Sequence, residues 1–157
     1  GAVMRPFFTS RTPWEQAKLW RQSRSTNEIR KALDTMTRHR APWLAEVLES
    51  VGPQHGKHVT NALPGQSWHQ WCEAIDSYWL VEGRAEWSTE VLEAGVNGYA
   101  VMASTARCLG LKAGADFGDA VHVQMRQEGS PVRAGMTWAD IEAAMQDRWA
   151  GAAPAVG

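Results

Sequence analysis

At 157 residues, 44% of them hydrophobic and 21% charged, the chain has the size and composition of one globular domain, able to bury about 70% of its unfolded surface without a disulfide framework. Sixteen Lys and Arg against seventeen Asp and Glu leave a formal charge of -1, which excludes the basic footprint of a nucleic-acid binder and any adsorption to an anionic wall by bulk charge. No run of about 18 apolar residues is present, so no membrane span is expected.

In chain order, Val3 to Ser10 is apolar enough for a short strand. Pro13 suits the first turn of a helix reaching Gln22. Asn27 to His39 reads as a second helix, with Ile29, Leu33 and Met36 on one face. Pro42 opens a third, carrying Leu44, Val47, Leu48 and Val51 and stopping at Gly52. The segment GPQHGK is a loop by its glycines and proline. VTNAL and AIDSYWL then read as β-compatible runs separated by PGQSWHQWC. A longer helix is expected from about Ser88 to Leu109, with Gly95 and Gly98 inside it marking a close helix-to-sheet contact. Gly110 and Gly114 bracket the turn into a last strand, AVHVQMR. Thr137 with Asp140 resembles a capping box for the helix WADIEAAMQDRW, and the end after Trp149 reads as frayed. Helices first, then strands broken by one helix, make the class α+β. A single domain over 1–150, a disordered tail over 151–157 and a monomer are the expectations.

Cys72 and Cys108 are too few for a disulfide scaffold, so both should be free thiols. The N-terminal GAVMRPFFTSR lacks the apolar stretch of a secretory signal. Nine tryptophans are the compositional oddity; most should pack, although that number also suits a groove gripping an extended substrate.

The chemistry concentrates in SWHQWCEAID and DAVHVQ. A catalytic zinc site keeps three imidazole or carboxylate ligands and leaves a fourth position open. His69 and Asp76 come from the first stretch and His122 from the second, with Asp119 left over as general base. Residues three apart on a regular strand face opposite sides, so Asp119 and His122 share a site only across a turn or bulge, which Gly118 permits. Asp116 is a second candidate for the base, six residues from His122. His55 and His58 have HxxH spacing but sit in a glycine-flanked loop without an acid, and read as solvent-facing. His39 lies in the basic patch at a helix end, where cations complement the helix dipole. Trp68 and Trp71 either line the cleft or cover the sheet. Cys108 has no partnering His motif, which leaves a cysteine-protease reading without support.

VTNALPGQSWHQWCEAID resembles the Ser-x-His-(x)6-Asp signature of the zinc peptidases that include D-alanyl-D-alanine carboxypeptidases and L-alanyl-D-glutamate endopeptidases. GADFGDAVHVQ resembles the closing Asp-x-x-His motif of that family, and FTSRTPWEQAKLWRQSR its arginine-bearing segment, with Arg11 and Gln16 at matching places. The three matches run in family order from Phe8 to Gln124. The resemblance implies a small antiparallel sheet carrying the zinc site, flanked by helices, as in the hedgehog and DD-peptidase folds. It implies His69, Asp76 and His122 as zinc ligands and Asp119 as the group that takes the proton of the attacking water and returns it to the leaving amine. Arg11 would steady the substrate carbonyl or its oxyanion. Ser67 would sit beside the metal, orienting a ligand or the substrate. Cys72 stands where the family usually has glycine, a residue that often marks positive φ or close approach; its thiol either packs as a small hydrophobe or approaches the metal.

The resemblance therefore implies an endolysin-like peptidase of peptidoglycan stem peptides, cutting the L-Ala–D-Glu bond, with D-Ala–D-Ala carboxypeptidase as the alternative activity. With no export signal evident, a protein made in the cytoplasm that reaches the wall through a phage holin is the expected setting. The reading from a different class is a wall-binding module that keeps the zinc but has lost catalysis; retention of Asp119 and Arg11 argues against it.

Overall fold

The computed structural model describes residues 2–152, and the class is α+β, with five α-helices and one small antiparallel sheet. The chain gathers into two compact units, residues 2–10 with 71–127 and residues 11–70 with 128–152.

The first unit carries the sheet. Its strands are β1 (Val3–Phe8), β2 (Ala74–Val81), β3 (Arg84–Glu86), β4 (Lys112–Ala113) and β5 (His122–Gln124). The hydrogen-bonded order is β1-β2-β5-β4, with β3 pairing to β2. Pro6 lacks a backbone donor and is tolerated because β1 lies at the edge. The β1–β2 register shifts between Pro6 and Phe8. Glu82 and Gly83, both at positive φ (48° and 78°), close the β2–β3 hairpin; two such residues in a row match the twist of the flanking strands. Helix α4 (Gly98–Cys108) lays Ala103 and Ala106 against Ala113 and Val123, with Ile75, Met102 and Leu111 around them.

The expected helix from Ser88 is shorter than its pattern suggested. Ala94 and Gly95 take positive φ, and Glu93 and Val96 form an isolated bridge. Asn97 then starts α4 by accepting from the amides of Tyr99 and Ala100, while its own amide donates to the carbonyls of Ser88 and Val91. At Gly98 a Cβ would run into the Trp79 indole of β2, so the close helix-to-sheet contact is real there. Gly95 sits outside the helix with open space around its Cα.

The second unit is helical: α1 (Pro13–Arg21), α2 (Thr26–Arg38), α3 (Pro42–Ser50) and α5 (Trp138–Trp149). Thr12, Ser25 and Thr137 each form a reciprocal capping box with Glu15, Glu28 and Asp140. Helix α3 has no side-chain cap of its own; the buried carboxylate of Glu142 on α5 accepts from the amides of Trp43 and Leu44, at 2.7 and 3.0 Å. That satisfies two of the donors a helix start leaves open and places negative charge at the positive end of its dipole. Trp14, Met36, Leu44, Leu48, Ile141 and Met145 are among the buried side chains of these helices.

VTNAL is not a strand. Val59 is exposed, Thr60 Oγ1 accepts from the Ala62 amide, and the Ala62 carbonyl accepts from Gln16. Of the expected tail, Ala150–Ala152 forms a 3-10 turn, and residues 153–157 lie outside the described part. Among the described residues no helix is long and apolar enough to cross a membrane.

Candidate metal site

Antiparallel pairing sets Asp76 of β2 directly opposite His122 of β5. Side chains of directly opposed residues share a face of the sheet, and Asp76 Oδ1 lies 2.9 Å from His122 Nδ1. Both residues are only 8% exposed. The other ring nitrogen, Nε2, lies 3.0 Å from Gln124 Oε1. Gln124 is two residues further along the same strand and so projects from the same face. Burial disfavours the imidazolium of His122. The hydrogen bonds that the ring donates to Asp76 and Gln124 and the charges of Asp76 and Asp119 outweigh it, and the pKa is held above the usual imidazole range.

His69 lies in a short 3-10 turn, Trp68–Trp71, and is 3% exposed. Its carbonyl accepts from the Arg11 amide at 3.2 Å. Among the described residues, one group of His, Cys, Asp and Glu side chains has the spacing to hold a metal ion: His69, Asp76 and His122, whose ligand atoms all lie within 4.8 Å of one another. Two imidazoles and one carboxylate are a donor set suited to zinc, with a fourth position left over. The residues present therefore fit the ion that their spacing suggested.

The bend before His122 is built as the spacing required. Gly118 adopts φ 87°, the Asp119 amide donates to the Gly114 carbonyl, and the His122 amide donates to the Asp119 carbonyl. Gly114 itself presses on this turn. A Cβ there would meet the Asp119 carbonyl and come within 2.6 Å of the His122 Cβ. Asp119 is exposed, and its charge reaches His122.

Asp116 is differently placed. Arg107 and Lys112 hold it at 2.6 and 3.3 Å. The Arg107 hydrogen bond in particular keeps its carboxyl below the usual carboxylate range. A carboxylate held in that way is a poor proton acceptor.

Arg11 is half-buried, and its Nη1 donates to Gln16 Oε1 at 2.9 Å. Gln16 is fully buried and donates in turn to the Ala62 carbonyl at 2.6 Å. The pair singled out by the arginine-bearing segment is thus physically linked. Ser67, half-buried, precedes the His69 turn and receives a hydrogen bond from the Gln70 amide on its carbonyl. Trp68 is 3% exposed and donates its ring N–H to the Glu128 carbonyl. Its burial favours the packing alternative over the cleft-lining one. Trp71 remains half-buried.

Cys72 adopts φ 57°, the left-handed region that glycine occupies most easily. Packing of its thiol as a small core hydrophobe is not what the structure has: the residue is exposed and, with Ile75, Leu111, Val123 and Met125, lines an apolar cavity of about 470 Å³. Cys108 is also a free, exposed thiol. His39, His55 and His58 are all exposed and stand outside the metal-binding group.

The residues that sequence reasoning missed are Gln124, on the far side of the His122 ring, and Phe117, whose ring meets that of His122 edge-on at 5.7 Å. Gln124 was open to inference from its two-residue offset on a strand; Phe117 reaches His122 only through the Gly118 turn. No family model matches the chain, and a search of curated proteins returns no match.

Proposed function

We propose that the chain is a zinc-dependent peptidase of peptidoglycan stem peptides, with the L-Ala–D-Glu bond as its target. The observation that carries the reading is the convergence of the His69, Asp76 and His122 ligand atoms within 4.8 Å, in the order and spacing of the motifs that resemble the zinc peptidases. The antiparallel sheet that presents two of the ligands agrees with a fold of the hedgehog and DD-peptidase kind.

Zinc would supply Lewis acidity there, polarising the scissile carbonyl and making water a better nucleophile at neutral pH. His69, Asp76 and His122 hold the ion. Asp119 takes the proton of the attacking water and delivers it to the departing amine nitrogen, so that the C–N bond breaks without expelling an amide anion. Arg11, steered by Gln16, donates to the carbonyl oxygen as negative charge grows on it. Gly114 keeps the Asp119–His122 turn compact enough for base and ligand to stay near one another.

Digestion of purified peptidoglycan, with fragments identified by mass spectrometry, tests the reading. New amino termini on D-glutamate, lost with a strong chelator and restored by zinc, are the expected result. Free D-alanine as the sole product moves the activity to the carboxypeptidase alternative. New reducing sugar ends overturn the peptidase reading. Zinc uptake without any cleavage favours the binding module.

A further inference from the structure

We infer that Gln124 is a positioning residue that fixes the tautomer of His122, keeping the proton on Nε2 and turning Nδ1 towards the metal; the inference rests on the zinc reading above. Gln124 is 3% exposed, and its Nε2 donates to the Arg126 carbonyl at 2.6 Å. A carbonyl oxygen can only accept, so this bond decides which way round the amide lies. The reversed amide would bring two oxygens together at that distance. With the nitrogen committed to Arg126, the atom facing His122 at 3.0 Å is the carbonyl oxygen Oε1, and an acceptor there demands a donor on the ring. The Nε2–H is therefore specified by a side chain that cannot change its own protonation.

With Nε2–H held by Gln124, Nδ1 is the nitrogen that would exchange the proton it donates to Asp76 in the metal-free chain for the ion. That nitrogen lies 2.9 Å from Asp76 Oδ1, so the two atoms on this side of the ring are both ligand atoms facing one place. A ligating imidazole ordinarily gives its other N–H to an outer acceptor, which orients the ring and raises its basicity. Gln124 is that acceptor, and the Arg126 carbonyl is the anchor behind it. The arrangement lies along one strand and its continuation, His122 to Arg126, so it forms whenever β5 pairs with β2.

The test uses the full chain loaded with zinc. Long-range 1H–15N NMR of the His122 ring should show a protonated Nε2 and a metal-bound Nδ1 in the wild type. Gln124→Met, which has no strong acceptor, should lower zinc affinity by about 10–100-fold. Gln124→Glu, which keeps an acceptor oxygen, should retain the Nε2–H tautomer. The wild-type spectrum stands whether or not the methionine variant folds. Metal on Nε2 in the wild type, or an unchanged zinc affinity in folded Gln124→Met, overturns the positioning role while leaving the zinc reading intact. A wild type that takes up no zinc overturns the zinc reading and this inference with it.

Discussion

Asp116 and Asp119 stand three residues apart with the same functional group, and their surroundings separate them. Asp116 is committed to Arg107 and Lys112, whereas Asp119 sits in the turn that leads into His122. Asp119→Ala should therefore keep its zinc, measured by metal analysis, and hydrolyse stem peptides very slowly, while Asp116→Ala should stay active. The reverse pattern in the two variants would exchange their roles. Cys72 offers a second test at this scale. Its φ of 57° imposes a strain that glycine does not feel, so Cys72→Gly should raise the free energy of unfolding in urea by about 1 kcal/mol. A loss of stability would mean that the thiol contributes more than its backbone costs. The three candidate ligands that converge in the fold were legible in the sequence because metal chemistry restricts both residue type and spacing. The orientation of the Gln124 amide was not, because it is decided by a backbone carbonyl whose position only the folded strand defines.

Helix starts were the most legible elements. Thr12, Ser25 and Thr137 announce their helices, since a hydroxyl followed three residues later by an acid satisfies two orphan donors within four residues of chain. The α3 cap was invisible for the opposite reason: Glu142 lies 98 and 99 residues from the amides it receives. Helix α4 was overextended because propensity from Ser88 onward says nothing of the bridge between Glu93 and Val96. The short β3 and β4 strands, three and two residues long, carry too little periodicity to be read at all. The capping boxes also predict a dependence on acidity. Hydrogen bonds from Ser25 and Thr137 hold the carboxyls of Glu28 and Asp140 below their ordinary values of 4.5 and 3.8. A carboxyl depressed on folding stabilises the protein above its unfolded pKa and loses that contribution as pH falls through the folded value. Thr137→Ala should cost about 1 kcal/mol at neutral pH, and the difference from wild type should shrink as the pH falls below about 4. Urea denaturation at several pH values measures it; a constant difference across that range would argue against the box.

Over the whole molecule, a bound ion is a stabilising ligand. Zinc that binds the folded chain and not the unfolded one should raise stability by about 2.7 kcal/mol at a free concentration 100-fold above its dissociation constant. Thermal melts with zinc and with chelator measure that difference, and coincident melts would speak against a metal site. The sheet explains when this stabilisation becomes available. Asp76 meets His122 only through the pairing of β2 with β5, and 46 residues separate the two. During synthesis His69 and Asp76 are made before His122. The growing chain thus carries two of its three candidate ligands through an interval in which it cannot complete the site.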